Sequence, residues 1–287
     1  MKKRKKKRKT SRKKVKRKTK KKIKRKVKKR AIKKRKKKTV RKIRRKTEHR
    51  VKINNEMELM IKSIKINNTG LPIHIEEAFR IVDRKFFVKS HPYEDEAKHI
   101  AFGQTISQPT TVARMLHKLD LWPGLDVLEI GTNTGYHAAL TSYLVFPGTV
   151  TTCEIFPKLA HGAINNINNF IKKIKNNKLK KKFEIQFVIG DALNIDNPIW
   201  FNKYDRIFFT AGVSKEHLKD VKHMARHLLK ERGVLLFPSR EFFDYGGLEI
   251  WEFRKGELRF VSKERGYSFV PLMRQKDLKD IYKVVNK

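Results

Sequence analysis

A glycine-containing turn between a strand-like run and a helix-like run is the first place where this sequence could bind a ligand. Within VLEIGTNTGYHAAL (127–140), Glu129, Gly131 and Gly135 form the pattern E-x-G-x-x-x-G. A dinucleotide-binding turn, G-x-G-x-x-G, would need glycines where this chain has Asn133 and Tyr136. The spacing therefore argues against a dinucleotide site.

The pattern that is present resembles the glycine loop of S-adenosylmethionine-dependent methyltransferases. Gly131 and Gly135 accept a positive φ and let backbone amides approach a ligand, and Asn133 tolerates the left-handed region better than most residues. Glu129 would supply negative charge near the sulfonium and amino groups of the cofactor. The alternative is a tight strand-to-helix turn that binds no ligand.

Two acids that follow later strand-like runs fit the same cofactor. Glu154 lies 23 residues after Gly131, at a strand end where one carboxylate can accept both ribose hydroxyls. Asp191, within Gly190-Asp191-Ala192, could accept a hydrogen from the adenine amino group. Taken alone, Glu154 is typical of a solvated loop charge and Gly190-Asp191 of an ordinary turn. Their spacing from the glycine loop favours the cofactor site.

The elements that must position these residues predict an α/β domain with a doubly wound, mostly parallel sheet. Several strand-like runs are apolar throughout, which suits strands that are covered on both faces. The ligand crevice of such a sheet lies at the carboxyl ends of its strands. The predicted strands are 125–130, 149–155, 184–190, 204–210 and 233–238, with helices beginning near Tyr136, Pro157, Pro198 and Ser214.

The flanking segments complete the predicted fold. Ahead of the sheet, helical spacing predicts helices over 55–66 and 75–82, and Pro109 is well placed as the first residue of a helix that continues over 110–121. After the sheet, residues 248–264 read as two strands around Lys255-Gly256. We expect that hairpin to give the sheet an antiparallel edge.

Motifs before and after the glycine loop carry a more specific resemblance. D-R-x-x-F-V, Y-x-D and G-x-T-I-S-x-P occur in order, and YDRIFFTAG (204–212) and YSFVPL (267–272) follow. Over residues 55–275 the chain thus resembles the protein-L-isoaspartate O-methyltransferase family. The resemblance implies a class I, Rossmann-like methyltransferase fold. The residues that match the first three motifs are Asp83, Arg84, Phe87, Val88, Tyr93, Asp95, Gly103, Thr105, Ile106, Ser107 and Pro109.

Members of that family move a methyl group from S-adenosylmethionine to the α-carboxylate of L-isoaspartyl residues in damaged proteins, which initiates repair. The resemblance implies Ser107 as the catalytic hydroxyl beside that carboxylate. It also implies Thr105, Ile106, Val270 and Pro271 as substrate-binding residues. A carboxylate is already a nucleophile and a sulfonium is a strong leaving group, so no general base is needed. The alternative role for Ser107 is to cap the helix that follows it.

Four departures from the family pattern are present, and one of them, Lys89-Ser90-His91 between Val88 and Tyr93, differs from the compact loop of the family and bears on substrate affinity. The family loop commonly reads G-T-G-S-G-Y, whereas this chain has Asn133 and Thr134 in the middle. We expect cofactor binding to survive because the flanking glycines remain. Met273 stands where the family often has a threonine near the cofactor. Because methionine has no hydroxyl, one hydrogen bond to the cofactor would be missing. The lysine-rich stretch 172–184 lengthens a helix-to-strand connection, and we expect a solvated insertion.

Positive charge is concentrated at the amino terminus. Residues 1–50 hold 35 of the 72 lysines and arginines and a single acid, Glu48, in a chain of net charge +44. Such a segment cannot bury enough apolar surface to fold alone, so we expect disorder. We divide the chain into a polybasic tail, 1–50, and an isoaspartyl methyltransferase-like domain, 51–287. The tail could contact nucleic acid or other polyanions, or serve as a nuclear address.

The tail also supports an alternative function, that of a nucleic-acid methyltransferase or of a nucleic-acid-tethered methyltransferase with another substrate. Against it, residues 1–50 contain no Phe, Tyr or Trp for base stacking. Amino-methylating nucleic-acid enzymes usually carry N/D-P-P-Y/F after the fourth strand, where this chain reads Thr210-Ala211-Gly212-Val213. A protein that binds the cofactor without catalysis is a third possibility.

The remaining features predict a protein of a reducing compartment. Cys153 is the only cysteine, so no intramolecular disulfide can form. No run of the sequence reaches the roughly 18–20 apolar residues of a membrane span. His223 and His227 are spaced i,i+4 without a nearby carboxylate, and we expect no metal. We expect a cytoplasmic monomer that acts on isoaspartyl-containing proteins and peptides and does not contact membranes.

Overall fold

The computed structural model describes residues 55–241 and 245–278. The predictions for the tail, residues 1–50, lie outside these ranges. Two short strands, β1 (Lys98–His99) and β2 (Thr105–Ile106), form an antiparallel ribbon. The main sheet contains β3 (Val127–Ile130), β4 (Val150–Glu154), β5 (Ile185–Ile189), β6 (Tyr204–Phe209), β7 (Leu229–Arg240), β8 (Tyr245–Arg254) and β9 (Glu257–Ser268).

The main sheet has the strand order β5-β4-β3-β6-β7-β8-β9. The first five strands in that order, β5, β4, β3, β6 and β7, run parallel, whereas β8 and β9 pair antiparallel at one edge. The predicted doubly wound sheet with an antiparallel edge is therefore confirmed. Lys255 and Gly256 join β8 to β9 with φ of 54° and 82°. Two positive φ values are what a tight two-residue hairpin turn requires.

Helices cover both faces of the main sheet. One hydrophobic core includes Val127 and Phe208, and a second core includes the adjacent residues Leu128, Ile207 and Phe209. Successive strand residues point to opposite faces, so a strand between two cores is apolar throughout. The helices are α1 (Asn55–Asn67), α2 (Ile73–Ile81), α3 (Pro109–Lys118), α4 (Tyr136–Val145), α5 (Pro157–Lys173), α6 (Asn177–Lys180) and α7 (Leu218–Leu228).

Several predicted boundaries differ from the observed ones. The helix expected near Ser214 begins at Leu218, and the one expected near Pro198 is a single 3-10 turn, Pro198–Phe201. The strand expected over 233–238 extends from Leu229 to Arg240 because its first residue pairs with Tyr204 across an irregularity. The lysine-rich connection is not wholly solvated, since Phe183 within it is buried in the core. Within the described ranges, no helix combines the length and apolarity of a membrane span.

Candidate active site

The glycine loop after β3 has the backbone conformation that its sequence predicts. Gly131, Asn133 and Gly135 have φ of 98°, 56° and 84°. A Cβ atom on Gly131 would lie 2.2 Å from the Thr210 Oγ1 atom, and one on Gly135 would lie 2.9 Å from the Ile167 Cδ1 atom. Both glycines are therefore required by a positive φ and by close packing against neighbouring elements.

An open cleft of about 560 Å³ lies at the carboxyl ends of β3, β4, β5 and β6. This volume includes solvent at the mouth of the cleft, which is open to the surface. Six of the residues singled out from the sequence line this cleft together. They are Gly131, Asn133, Glu154, Asp191, Val270 and Pro271.

Glu154 lies at the end of β4 with its carboxylate directed back at the glycine loop. Its Oε2 atom accepts from the Asn133 backbone N–H at 2.8 Å, and its Oε1 atom accepts from the Phe156 N–H at 3.1 Å. Burial raises the pKa of this carboxyl, and these backbone hydrogen bonds oppose the rise. Each carboxylate oxygen has a second lone pair, so both can still accept from a ribose hydroxyl.

Asp191 lines the same cleft just after β5 and holds the carboxyl-terminal segment. Its Oδ2 atom accepts from Arg274 Nε at 2.7 Å and from the Gln275 N–H at 3.0 Å. Its Oδ1 atom accepts from the Leu193 N–H at 2.9 Å. A carboxylate has roughly four acceptor positions, so one remains for an amino group such as that of adenine.

A second, smaller cleft adjoins the first and contains the predicted catalytic hydroxyl. Thr105, Ile106, Ser107 and Glu129 line it, whereas Val270 and Pro271 line only the larger cleft. Three residues form a wall that is common to both clefts, namely Gly131, Asn133 and Thr210. A ligand in the larger cleft and a ligand at Ser107 would therefore meet across the glycine loop.

Ser107 is held through its backbone. The Nη2 atom of the buried Arg84 donates to the Ser107 carbonyl oxygen at 3.0 Å. The alternative role of Ser107 as a helix cap is wrong. Gln108 is the N-cap residue of α3 and makes no side-chain cap, while Asp95 Oδ1 accepts from the Thr110 N–H at 2.8 Å. The Ser107 hydroxyl is thus left available to the cleft.

Glu129 lines the smaller cleft together with Gly131 and Asn133, two other residues predicted to bind the cofactor. Its side chain is fully buried on the smaller cleft, where Thr152 Oγ1 donates to its Oε2 atom at 2.7 Å. Its Oε1 atom has no hydrogen-bond partner among the described residues. Burial raises the pKa of this carboxyl well above its usual range, so the expected negative charge is disfavoured unless a cation lies beside it.

His137 at the start of α4 also lines the smaller cleft. Burial lowers its pKa to about 3, so the imidazole is neutral and a poor proton acceptor at physiological pH. A weak base here fits a reaction that needs no general base. In the part of the chain that the structure describes, no group of three or more His, Cys, Asp or Glu side chains could hold a metal ion.

Arg84, Asp95 and Thr210 lie within motifs of the sequence that indicated no role for them, and no motif included Arg274. Thr210 Oγ1 donates to the Gly131 carbonyl oxygen at 2.6 Å, so it supports the glycine loop from β6. The available signal was topological, because the ends of adjacent parallel strands lie together. Arg274 carried no such signal, since its partners Asp191 and Asp220 are distant in sequence.

A mostly parallel seven-stranded sheet with a glycine loop after β3 and acids after β4 and β5 defines a class I, Rossmann-like methyltransferase. The family model for Protein-L-isoaspartate(D-aspartate) O-methyltransferase matches residues 54–277. The chain belongs to this family.

Relatives and solved structures agree with that assignment. The chain is 35% identical over 206 residues to a protein-L-isoaspartate O-methyltransferase of Methanopyrus kandleri, covering 69% of this chain and 83% of the relative. It is 33% identical to the Pyrococcus abyssi protein of the same name over 70% and 87% of the two chains. A solved protein-L-isoaspartate O-methyltransferase has a TM-score of 0.60 at 26% identity, covering 76% of this chain and 66% of that one.

A second solved structure is similar in fold. It is a putative protein-L-isoaspartate O-methyltransferase from Plasmodium falciparum in complex with S-adenosyl-L-homocysteine, with a TM-score of 0.63 at 22% identity. The match covers 77% of this chain and 100% of that one.

Proposed function

We propose that this protein transfers a methyl group from S-adenosylmethionine to the α-carboxylate of L-isoaspartyl residues in proteins. The observation that carries the proposal is the common wall of Gly131, Asn133 and Thr210 between the two clefts. This wall is shared by the cleft that Glu154 and Asp191 line and by the cleft that Ser107 lines. Family membership supplies the reaction that fits this arrangement.

The residues of the larger cleft fit the methyl donor. When bound, S-adenosylmethionine supplies its methyl group on a positively charged sulfonium. Glu154 retains acceptor positions for the ribose hydroxyls, and Asp191 retains one for the adenine amino group. The positive φ values of the glycine loop leave its backbone open to close approach.

The residues of the smaller cleft orient the methyl acceptor. Ser107 would donate its hydroxyl hydrogen to one oxygen of the isoaspartyl carboxylate and leave the other oxygen free to attack the methyl carbon, which breaks the carbon–sulfur bond and releases neutral S-adenosylhomocysteine. Arg84 fixes the Ser107 backbone, and the neutral His137 takes no proton from the acceptor. Rate enhancement here comes from in-line placement and a few aimed hydrogen bonds. Glu129 remains on the same cleft as a buried acid that a nearby cation would ionise.

An acceptor competition tests the proposed substrate. The protein is given radiolabelled S-adenosylmethionine with an isoaspartyl peptide, the matching aspartyl peptide, or RNA. We expect label in the isoaspartyl peptide alone. Label in RNA would support the nucleic-acid alternative, and equal label in both peptides would refute isoaspartyl selectivity.

We further propose that residues 1–50 act as a polyanion-binding tail attached to a methyltransferase domain over 51–287. The charge of that segment supports this role, since lysine and arginine bind phosphate through counterion release without reading sequence. A chain beginning at Val51 should keep its methyl transfer to peptide and lose salt-sensitive retention on nucleic acid. Loss of turnover at saturating peptide would place the domain boundary elsewhere.

A further inference from the structure

Asn133 joins three separate parts of the site through its own polar groups. Its backbone N–H donates to Glu154 Oε2 at 2.8 Å, at the end of β4. Its side-chain Oδ1 atom accepts from the Thr134 N–H at 2.8 Å within the glycine loop. Its side-chain Nδ2 atom donates to the Thr105 carbonyl oxygen at 2.7 Å, in β2. One residue thus contacts both the predicted ribose acceptor and the segment that carries Ser107.

The backbone conformation explains why this side chain can reach across. With a φ of 56°, Asn133 lies in the left-handed region, which asparagine adopts more readily than most non-glycine residues. Glycine would fit the same backbone at lower cost but has no amide to donate. The amide is therefore a feature of this chain's loop that the turn itself does not require.

The contact at Thr105 acts on Ser107 because only one residue, Ile106, separates them. Ile106 is buried in the core, so the segment has little freedom to absorb a shift. From the other side, Arg84 Nη2 holds the Ser107 carbonyl oxygen. The Ser107 segment is consequently held by Asn133, by Arg84 and by the pairing of β2 with β1, and Asn133 is the contact that comes from the glycine loop.

We propose that Asn133 is a positioning residue that couples cofactor binding to acceptor binding. A ligand that contacts Glu154 and the glycine loop sets the position of the Asn133 amide and, through Thr105, that of Ser107 before the acceptor arrives. A second ligand that finds the site already in its binding position binds more tightly, and the coupling is reciprocal. This inference rests on the proposed function, because Ser107 must lie in the acceptor site.

Titration calorimetry on the full chain measures the coupling. An isoaspartyl peptide is titrated with and without saturating S-adenosylhomocysteine, which carries no methyl group to transfer, and the reverse titration is also made. We expect the cofactor product to tighten peptide binding about fivefold, the lower end of typical coupling between sites, with the same factor in reverse. In Asn133→Gly the coupling factor should fall close to one, because glycine adopts the same positive φ but has no side-chain amide to donate to Thr105.

Two further variants separate coupling from general damage to the loop. Asn133→Asp keeps an oxygen for the Thr134 N–H but loses the donor to Thr105, so its coupling should also be lost. Lys255→Gly is the matched control, since Lys255 has a φ of 54° in the exposed β8–β9 turn. It should keep the wild-type factor. Asn133→Gly removes two side-chain hydrogen bonds, one to the Thr105 carbonyl oxygen and one from the Thr134 N–H, so each ligand measured alone should bind up to about tenfold more weakly, and the test is the ratio between the two titrations.

The outcomes distinguish this inference from the proposed function. Two results would overturn the role of Asn133: a wild-type coupling factor in Asn133→Gly, or a coupling factor of one in the wild-type protein. Neither result would contradict the proposed methyl transfer to isoaspartyl peptide. A wild-type protein that methylates no isoaspartyl peptide overturns the proposed function, and the inference with it.

Discussion

Replacing Ser107 with alanine tests whether its hydroxyl acts on the acceptor. Asp95, and not Ser107, caps α3, and no described residue hydrogen-bonds to the Ser107 hydroxyl. The structure therefore predicts almost no loss of folding free energy, within about 0.5 kcal/mol. The Ser107 backbone remains held by Arg84, since that bond uses the carbonyl oxygen.

The expected loss of rate follows from one charge-assisted hydrogen bond. A hydrogen bond to a charged group contributes about 1.5–3 kcal/mol, which corresponds to a roughly 10- to 150-fold lower kcat/KM. The affinity for S-adenosylhomocysteine should hold, because Ser107 lines the smaller cleft and not the larger one. Ser107→Thr keeps the hydroxyl and adds a methyl group in the cleft, so it should also lose rate.

The assay combines initial rates of methyl transfer to an isoaspartyl peptide with thermal unfolding and cofactor titration. Ser90→Ala, on an exposed loop, is the matched serine control and should behave as wild type. Wild-type kcat/KM in Ser107→Ala would refute the catalytic role of the hydroxyl. A lower Tm with unchanged kcat would show that its role is structural.

Three other substitutions test the remaining groups of the site. Glu154→Ala removes the predicted ribose acceptor and should weaken S-adenosylmethionine binding by about 1–3 kcal/mol in calorimetry, and wild-type affinity would exclude that contact. Glu129→Gln should raise Tm by roughly 2–4 °C at pH 8 and weaken cofactor binding. The sign follows from the raised pKa of the Glu129 carboxyl, whose contribution to folding stability is fully present at low pH and is lost as the pH rises through that pKa. The gain in Tm from Glu129→Gln should therefore vanish near pH 4. Arg274→Ala should weaken cofactor binding by about 1 kcal/mol, because Arg274 joins the segment that contains Val270 and Pro271 to Asp191. An unchanged Kd for the cofactor would show that this ion pair does not support the cleft.

The sequence predicted those parts of the fold that local chemistry determines. Pro109 begins α3, Tyr136 begins α4 and Pro157 begins α5, as the helix-start signals indicate. Lys255-Gly256 forms the hairpin because only a few residue types adopt two successive positive φ values. The glycine loop was readable for the same reason.

What the sequence did not predict depends on contacts between distant residues. The Asp95 cap joins residues 15 apart, and Arg84 reaches Ser107 across 23. The pairing of Arg274 with Asp191 spans 83 residues. No periodicity or turn signal encodes such pairs, so the roles of Arg84, Asp95 and Arg274 emerge only once the elements are packed. The burial of Glu129 was missed likewise, because strand position alone does not indicate which cleft a side chain faces.

The most direct test of the account is to locate the transferred methyl group. A peptide with one isoaspartyl residue is incubated with the full-chain protein and S-adenosylmethionine, and the product is fragmented by mass spectrometry. We expect a single base-labile methyl ester on the α-carboxylate of the isoaspartyl residue, and no product from the matching aspartyl peptide. A methyl group on nitrogen, on another carboxylate, or on neither peptide would contradict it.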